Sequence, residues 1–235
     1  MWIALFLCLL LAHLVADFVC QTSSSCSSKA KKHERSIHQY IHAFLVFVLA
    51  WVASWRLEFW WGALIIGFSH CVIDIWKSYK EESIKWFALD QGLHVLVLAV
   101  VANLWCKNYP WAMPDFLSLK LVSILIAVLI CWKPANFFIK LVLKYYSVNM
   151  PEDKDGARFN AGALIGNIER WLILVFVYLG RYDALGLLIA AKSIIRFSDS
   201  QTNKTEYVLA GTLLSIFIAV LCGLFIVNVE LLIKF

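Results

Sequence analysis

The chain has 235 residues, 62% of them hydrophobic and only 16% charged, with a mean hydropathy of +0.76. Soluble domains run nearer half apolar and a quarter charged, so this balance excludes a water-soluble globule; 11 Trp and 16 Phe against 10 Gly exclude disordered and collagen-like chains. The net charge of +5 comes without a basic stripe interleaved with aromatics, which argues against nucleic acid as a partner and leaves the lipid bilayer as the medium this chain suits.

A bilayer core takes about 20 apolar residues per helix. Runs of that kind predict an all-α, polytopic transmembrane bundle of eight spans: 2–20, 37–54, 58–76, 84–105, 115–132, 162–180, a short one at 183–197, and 206–229. The first has no basic residue ahead of its apolar core and no small-x-small cleavage site, so it reads as a retained helix. Between the first two spans, residues 21–36 are Ser-rich and basic and read as a mobile loop. After the fifth, residues 136–146 set Lys140 and Lys144 on one face among Phe137, Phe138, Leu141 and Val142, the pattern of an amphipathic helix on a leaflet surface. Residues 147–160 read as a linker. The expected organisation is thus a five-helix part (1–132), a cytoplasmic helix and linker (133–161) and a three-helix part (162–235). Pro110, Pro114, Pro134 and Pro151 all fall outside the spans. Fifteen Lys and Arg flank the odd-numbered loops and five the opposite side, which places the odd loops in the cytoplasm and both termini outside. No C-x-x-C pair is present, so the seven cysteines indicate neither a disulfide framework nor a thiolate zinc site.

Ionisable side chains are costly inside a membrane and mark functional sites by default. Five of the six histidines lie within the predicted spans, and each has an ionisable residue four positions away: His13 with Asp17, His38 with His42, His70 with Asp74, and Asp90 with His94. Residues at i and i+4 share a helix face. Because the 1.5 Å rise sets each pair near the helix end on the same side, all four fall in the cytoplasmic leaflet. Gln21 extends the first stripe by a turn. Imidazole and carboxylate on inward helix faces suit zinc, manganese or iron, held as one or two ions. His38-x-x-x-His42 shares the ligand spacing of the H-E-x-x-H zinc helix, but Gln39 stands where that motif has its catalytic Glu. A lone buried His–Asp pair is more often a structural hydrogen bond. Four at one level point to a metal site, with a proton or ion pathway as the alternative.

In the C-terminal third, Glu169 and Arg170 lie inside the sixth span, and Gly162 and Gly166 form a G-x-x-x-G packing face before them. Lys192 and Arg196 share a face at the end of the seventh. They either snorkel to headgroups or bind an anion beside the metals, with Glu169 and Glu206 as partners; Lys192, Arg196, Glu169 and Arg170 are the candidate substrate- or anion-binding residues.

The string Ala12-His13-Leu14-Val15-Ala16-Asp17-Phe18 followed by Gln21, a His in the second span, Ser69-His70 with Ile73-Asp74 and Lys77, and Asp90-Gln91-x-x-His94 resembles the bacterial membrane family called domain of unknown function 3307, best over residues 8–98. Ile165-Gly166-x-x-Glu169-Arg170, Ala191-Lys192-Ser193 and Arg196-Phe197 resemble the extension of its longer members; the Ser- and Cys-rich stretch 22–36 departs from a pattern that often carries an aromatic near the Gln. The resemblance implies a bacterial inner (plasma) membrane location and no activity. In style, the His/Asp pairing is similar to membrane-bound metal-dependent hydrolases and the zinc-dependent phospholipase C group, an analogy that does not by itself carry function. The expected function is a metal-dependent hydrolase of a phosphate ester or lipid-like substrate, with zinc the first choice of metal. A proton- or metal-ion-coupled transporter and a non-catalytic sensor or scaffold are the alternatives.

Overall fold

The computed structural model describes residues 2–146, 157–197 and 202–229, without the side chains of 157–161, 195–197 and 202–208. The described residues are helical and contain no strand. Six helices are long and apolar enough to cross a membrane: Trp2–Cys20, Ile37–Ser54, Leu57–Ser78, Ile84–Asn108, Leu119–Tyr145 and Leu209–Asn228. Their outer faces are apolar, with Ile37, Phe44, Phe68 and Phe217 all at least 60% exposed. Such a surface is tolerable in lipid and an aggregation hazard in water.

The chain divides into two compact units, one running through Ile126 and one spanning Ala127–Asn228. In the first, α1 (Trp2–Leu14) continues as a π-helical segment, Val15–Cys20. Helix α2 (Ser23–Lys32) and a 3₁₀ turn (His33–Arg35) follow, then α3 (Ile37–Ser54), α4 (Trp60–Ser78) and α5 (Ile84–Asn108). Helices α1, α3, α4 and α5 pack in that order around a ring, α5 closing on α1. Successive members run in opposite directions, the up-and-down arrangement of a four-helix bundle. Gly67 lets α3 and α4 approach closely, since a Cβ there would lie 2.8 Å from Phe47 Cβ and 3.2 Å from the Ala43 carbonyl. Aromatic residues gather at both ends, as expected of interfacial belts. Phe59, Trp61, Trp105 and Tyr109 cluster at one end, and Lys80 lies over the rings of Trp76 and Trp86 at the other.

Two expectations are corrected here. Residues 21–36 form a helix and a turn, not a mobile loop. The Thr22 hydroxyl caps α2 by accepting from the Ser25 amide at 3.3 Å, and Lys29 anchors the helix by reaching into the bundle. The expected fifth span, 115–132, begins later: α6 is Leu119–Ile130, opened by the Ser118 hydroxyl accepting from the Leu121 amide, and after a break α7, Lys133–Tyr145, covers the helix expected at 136–146. Pro134 accounts for the break, because it has no amide to offer the carbonyl of Ile130. Alone, α6 is about 18 Å long at 1.5 Å per residue, short of the ~30 Å core; the two helices together give the membrane-length stretch. Lys140 and Lys144 are exposed on α7.

The second unit holds α7 with α8 (Ala157–Tyr178), α9 (Tyr182–Phe197) and α10 (Thr202–Asn228). Gly180, at φ +67°, ends α8 in a Schellman turn, its own amide bonding to Val177 and that of Arg181 to Phe176. The expected linker lies mostly in residues 147–156, outside the described residues.

Candidate metal centre

The first unit's chemistry sits at the end of the bundle where α1 and α4 finish and α3 and α5 begin. His13 and Asp17, His42, His70 and Asp74, and Asp90 and His94 converge there, one group from each wall. Asp17 lies in the π segment, a wide turn often found at functional sites. It reaches across the bundle: its Oδ1 is 3.1 Å from His42 Nε2 and 3.4 Å from His70 Nε2, closer than its Oδ2 lies to its own i−4 neighbour His13, at 3.7 Å. The Nε2 atoms of His42 and His70 face each other at 3.0 Å. Asp74 presents Oδ1 to His94 Nε2 at 3.5 Å and Oδ2 to His70 and His42 at 3.7 and 3.9 Å. His94 Nε2 is also 3.5 Å from Asp90 Oδ1. The rings of His70 and His94 stack at 4.0 Å, and His13 lies edge-on to His70 at 5.4 Å. Three groups within the cluster are close enough to share an ion: His13, Asp17 and His70; His42, His70 and Asp74; and Asp74, Asp90 and His94.

His38 stays out. It is exposed, because the buried stripe of α3 runs through Gln39, His42, Val46 and Ala50. At about 100° per residue, His38 sits roughly a quarter turn from the centre of that stripe. The expected His38–His42 pair is therefore not part of the cluster. Gln21 is half-buried and takes no part in it.

Sequence reasoning missed two participants. The Gln91 amide donates to Asp90 Oδ2 at 3.2 Å and Asp17 Oδ2 at 3.4 Å, while its carbonyl oxygen lies 3.4 Å from His13 Nε2, so it cross-braces α1 and α5. Its signals were adjacency to Asp90 and its place in the Asp90-Gln91-x-x-His94 string. Lys29 is buried and donates to Asp74 Oδ2 at 2.6 Å from α2, which lies across α3 and α4. The turn after α2 is fastened to α4: His33 stacks on Tyr79 at 4.1 Å, its Nδ1 meets the Ser78 hydroxyl at 3.0 Å, and the Tyr79 hydroxyl donates to Glu34. That hydrogen bond holds the Glu34 carboxyl below its ordinary range and pushes the Tyr79 phenol up.

The polar cluster stops abruptly. One turn toward the opposite end, the interior is Leu9, Val46, Ile66 and Leu98, each no more than 3% exposed. A cavity of about 10 Å³, near the minimum for one water, touches His13, Ser69, His70 and His94 just above this apolar floor.

In the second unit, Arg170 is 2% exposed and its donors are taken by neutral acceptors: the Cys131 carbonyl at 2.6 Å, the Ser215 hydroxyl at 2.8 Å, and the Asn136 and Asn167 side-chain oxygens at 2.6 Å each. Arg170, an expected anion-binding residue, thus meets neutral acceptors of the protein itself. Lys192 pairs with Glu169. The side chains of Arg196 and Glu206 lie outside the described residues.

Six membrane-length apolar helices and a cluster of His and Asp buried among four of them define a multi-pass helical membrane protein with an intramembrane polar centre. The family model for the proteins described as "Protein of unknown function (DUF3307)" matches residues 5–122, half of the chain and every member of the cluster, and the chain belongs to that family. No curated protein and no solved structure matches it.

Proposed function

We propose that the cluster is a divalent-metal site, zinc being the first candidate, and that the protein is a membrane-embedded metal-dependent hydrolase acting on a phosphate-ester or lipid-like substrate at the cytoplasmic leaflet. The observation that carries the metal is electrostatic. Asp17, Asp74 and Asp90 are each at most 14% exposed at the side chain, and among the described residues Lys29 is the one lysine or arginine paired with them. The carboxylates outnumber that ammonium, and buried negative charge in a low-dielectric interior is a costly state that a divalent cation offsets. The spacing fits as well. Ligands about 2.0–2.2 Å from a tetrahedral or octahedral ion stand about 2.9–3.5 Å apart, and the triangle of His42 Nε2, His70 Nε2 and Asp17 Oδ1 has edges of 3.0, 3.1 and 3.4 Å.

When bound, such an ion polarises an ester oxygen and acidifies water. The apolar floor beneath the cluster favours one-sided access, as an enzyme needs, over a path through the bilayer. The reading carries with it the orientation drawn from the Lys and Arg bias: both termini outside, the cluster toward the cytoplasm, and a bacterial inner-membrane location. It also treats α8 and α9 as further spans, for eight in all.

Lys29 supplies a test of the charge argument. Its ammonium competes with a cation for Asp74, so Lys29→Met is expected to tighten divalent-ion binding by about tenfold or more, ~1.4 kcal/mol of relieved like-charge repulsion. A competition titration with a metallochromic indicator measures it; weaker binding in the variant contradicts the argument.

The activity is tested by incubating purified protein with a panel of phosphate-headed lipids and measuring released inorganic phosphate. The expected result is turnover that needs added Zn²⁺ or Mn²⁺ and is lost with chelator and in His42→Ala. Uptake of the ion into sealed proteoliposomes with no ester consumed supports a transporter and sinks the hydrolase.

A further inference from the structure

Resting on the reading of this cluster as a metal site, we infer that it holds two divalent ions bridged by the Asp74 carboxylate, and that the group they clamp is a phosphoryl. One position is the triangle of His42, His70 and Asp17, closed by Asp74 Oδ2. The other lies across the bundle axis, between Asp74 Oδ1, His94 Nε2 and Asp90 Oδ1. These separate sets leave His13 beside the water-sized cavity.

The second position has its own independent support. His94 Nε2 and Asp90 Oδ1 are buried and have no hydrogen-bond partner among the described residues. His94 is 3% exposed, and its Nε2 is aimed at two carboxylate oxygens, each 3.5 Å away. Buried polar atoms are almost always hydrogen-bonded, and here a nitrogen and two carboxylate oxygens face one another at ion-pair distance without a hydrogen bond at Nε2 or Asp90 Oδ1, a spacing that also suits ligands around a shared cation. Edges of 3.5 Å again match ligands about 2.1 Å from a tetrahedral centre. Asp74 is the hinge of the arrangement: its two oxygens point to different imidazoles, as a bridging carboxylate must.

The charge then selects the substrate. Three carboxylates against Lys29 take up the charge of a first ion; a second ion leaves the pocket net positive, which suits an anionic phosphoryl group. Paired ions roughly 3.5–4 Å apart are the arrangement that stabilises both the attacking and the leaving oxygen in phosphoryl displacement. Lys29, at Asp74 Oδ2, adds a second positive group beside the cluster.

The experiment is metal counting by mass spectrometry on purified protein reconstituted with Mn²⁺, together with its electron paramagnetic resonance spectrum. Wild type is expected to hold two ions per chain with an exchange-coupled spectrum, and Asp90→Asn to hold one, with the coupling gone. Inorganic phosphate is expected to perturb the wild-type spectrum and to leave that of Asp90→Asn unchanged. One ion per chain in both proteins, uncoupled, overturns the two-ion assignment and leaves the single-metal reading standing. No bound ion in either removes both. Two coupled ions whose spectrum phosphate does not alter overturn the phosphoryl assignment.

Discussion

Replacing His70 by Ala is expected to reduce affinity for a divalent ion by more than about 100-fold, whereas His38→Ala leaves it unchanged. Outer residues that merely orient ligands account for 10–100-fold, so removing a ligand itself should exceed that range. His70 is the hub: its Nε2 lies 3.0 Å from that of His42, 3.4 Å from Asp17 and 3.7 Å from Asp74, and its ring stacks on His94. His38 belongs to the same sequence pattern but is exposed. The pair of variants separates position in the cluster from histidine content, and isothermal titration with Zn²⁺ at constant pH measures both. Equal losses in the two contradict the cluster as drawn. Binding should also weaken as pH falls, because protons compete for the imidazoles and carboxylates that hold the ion.

In the second unit the corresponding substitution is Arg170→Ala, expected to destabilise the protein by about 3–5 kcal/mol. The guanidinium ties α8 and α10 to the turn between α6 and α7, through the Cys131 carbonyl, Asn136, Asn167 and Ser215. Removing it takes a donor from the Cys131 carbonyl, Ser215, Asn136 and Asn167, of which Asn167 keeps the Asn136 amide. Arg170→Lys should rescue little, because one ammonium cannot span the planar fork those acceptors surround. By contrast Lys192→Ala, which loses only a partly exposed pair with Glu169, should cost less than about 1 kcal/mol. Thermal unfolding in detergent, followed by tryptophan fluorescence, compares them. A small effect at Arg170, equal to that at Lys192, contradicts the structural role.

The helices were legible because lipid demands long uninterrupted apolar runs, and the charged groups inside them stood out for the same reason. The i, i+4 spacing placed Asp90 with His94 and His70 with Asp74, and the alternating direction of the helices set them at one level. Spacing within a helix could not reveal the contacts between helices. Asp17 serves His42 and His70 more closely than His13 because a π turn re-aims it, and nothing in the local sequence specifies a π turn. His38 and Gln39 are neighbours separated by a single 100° step, and packing against α4 decided which one is buried. Lys29 was hidden by composition: a Ser-rich stretch reads as loop, yet Thr22 caps it as a helix, and the need of three carboxylates for a cation becomes visible only once they have been brought together. Arg170 looked available because its partners, Asn136 and Ser215, are far away in sequence.

Crystals of the wild-type protein, purified without chelator and grown with Zn²⁺, can be measured for anomalous scattering on both sides of the zinc edge. The expected result is a peak about 2.0–2.2 Å from His42 Nε2, His70 Nε2 and Asp17 Oδ1. Imidazoles hydrogen-bonded directly to the carboxylates, with no anomalous peak among them, would contradict a metal centre and leave a buried polar cluster that only holds four helices in register.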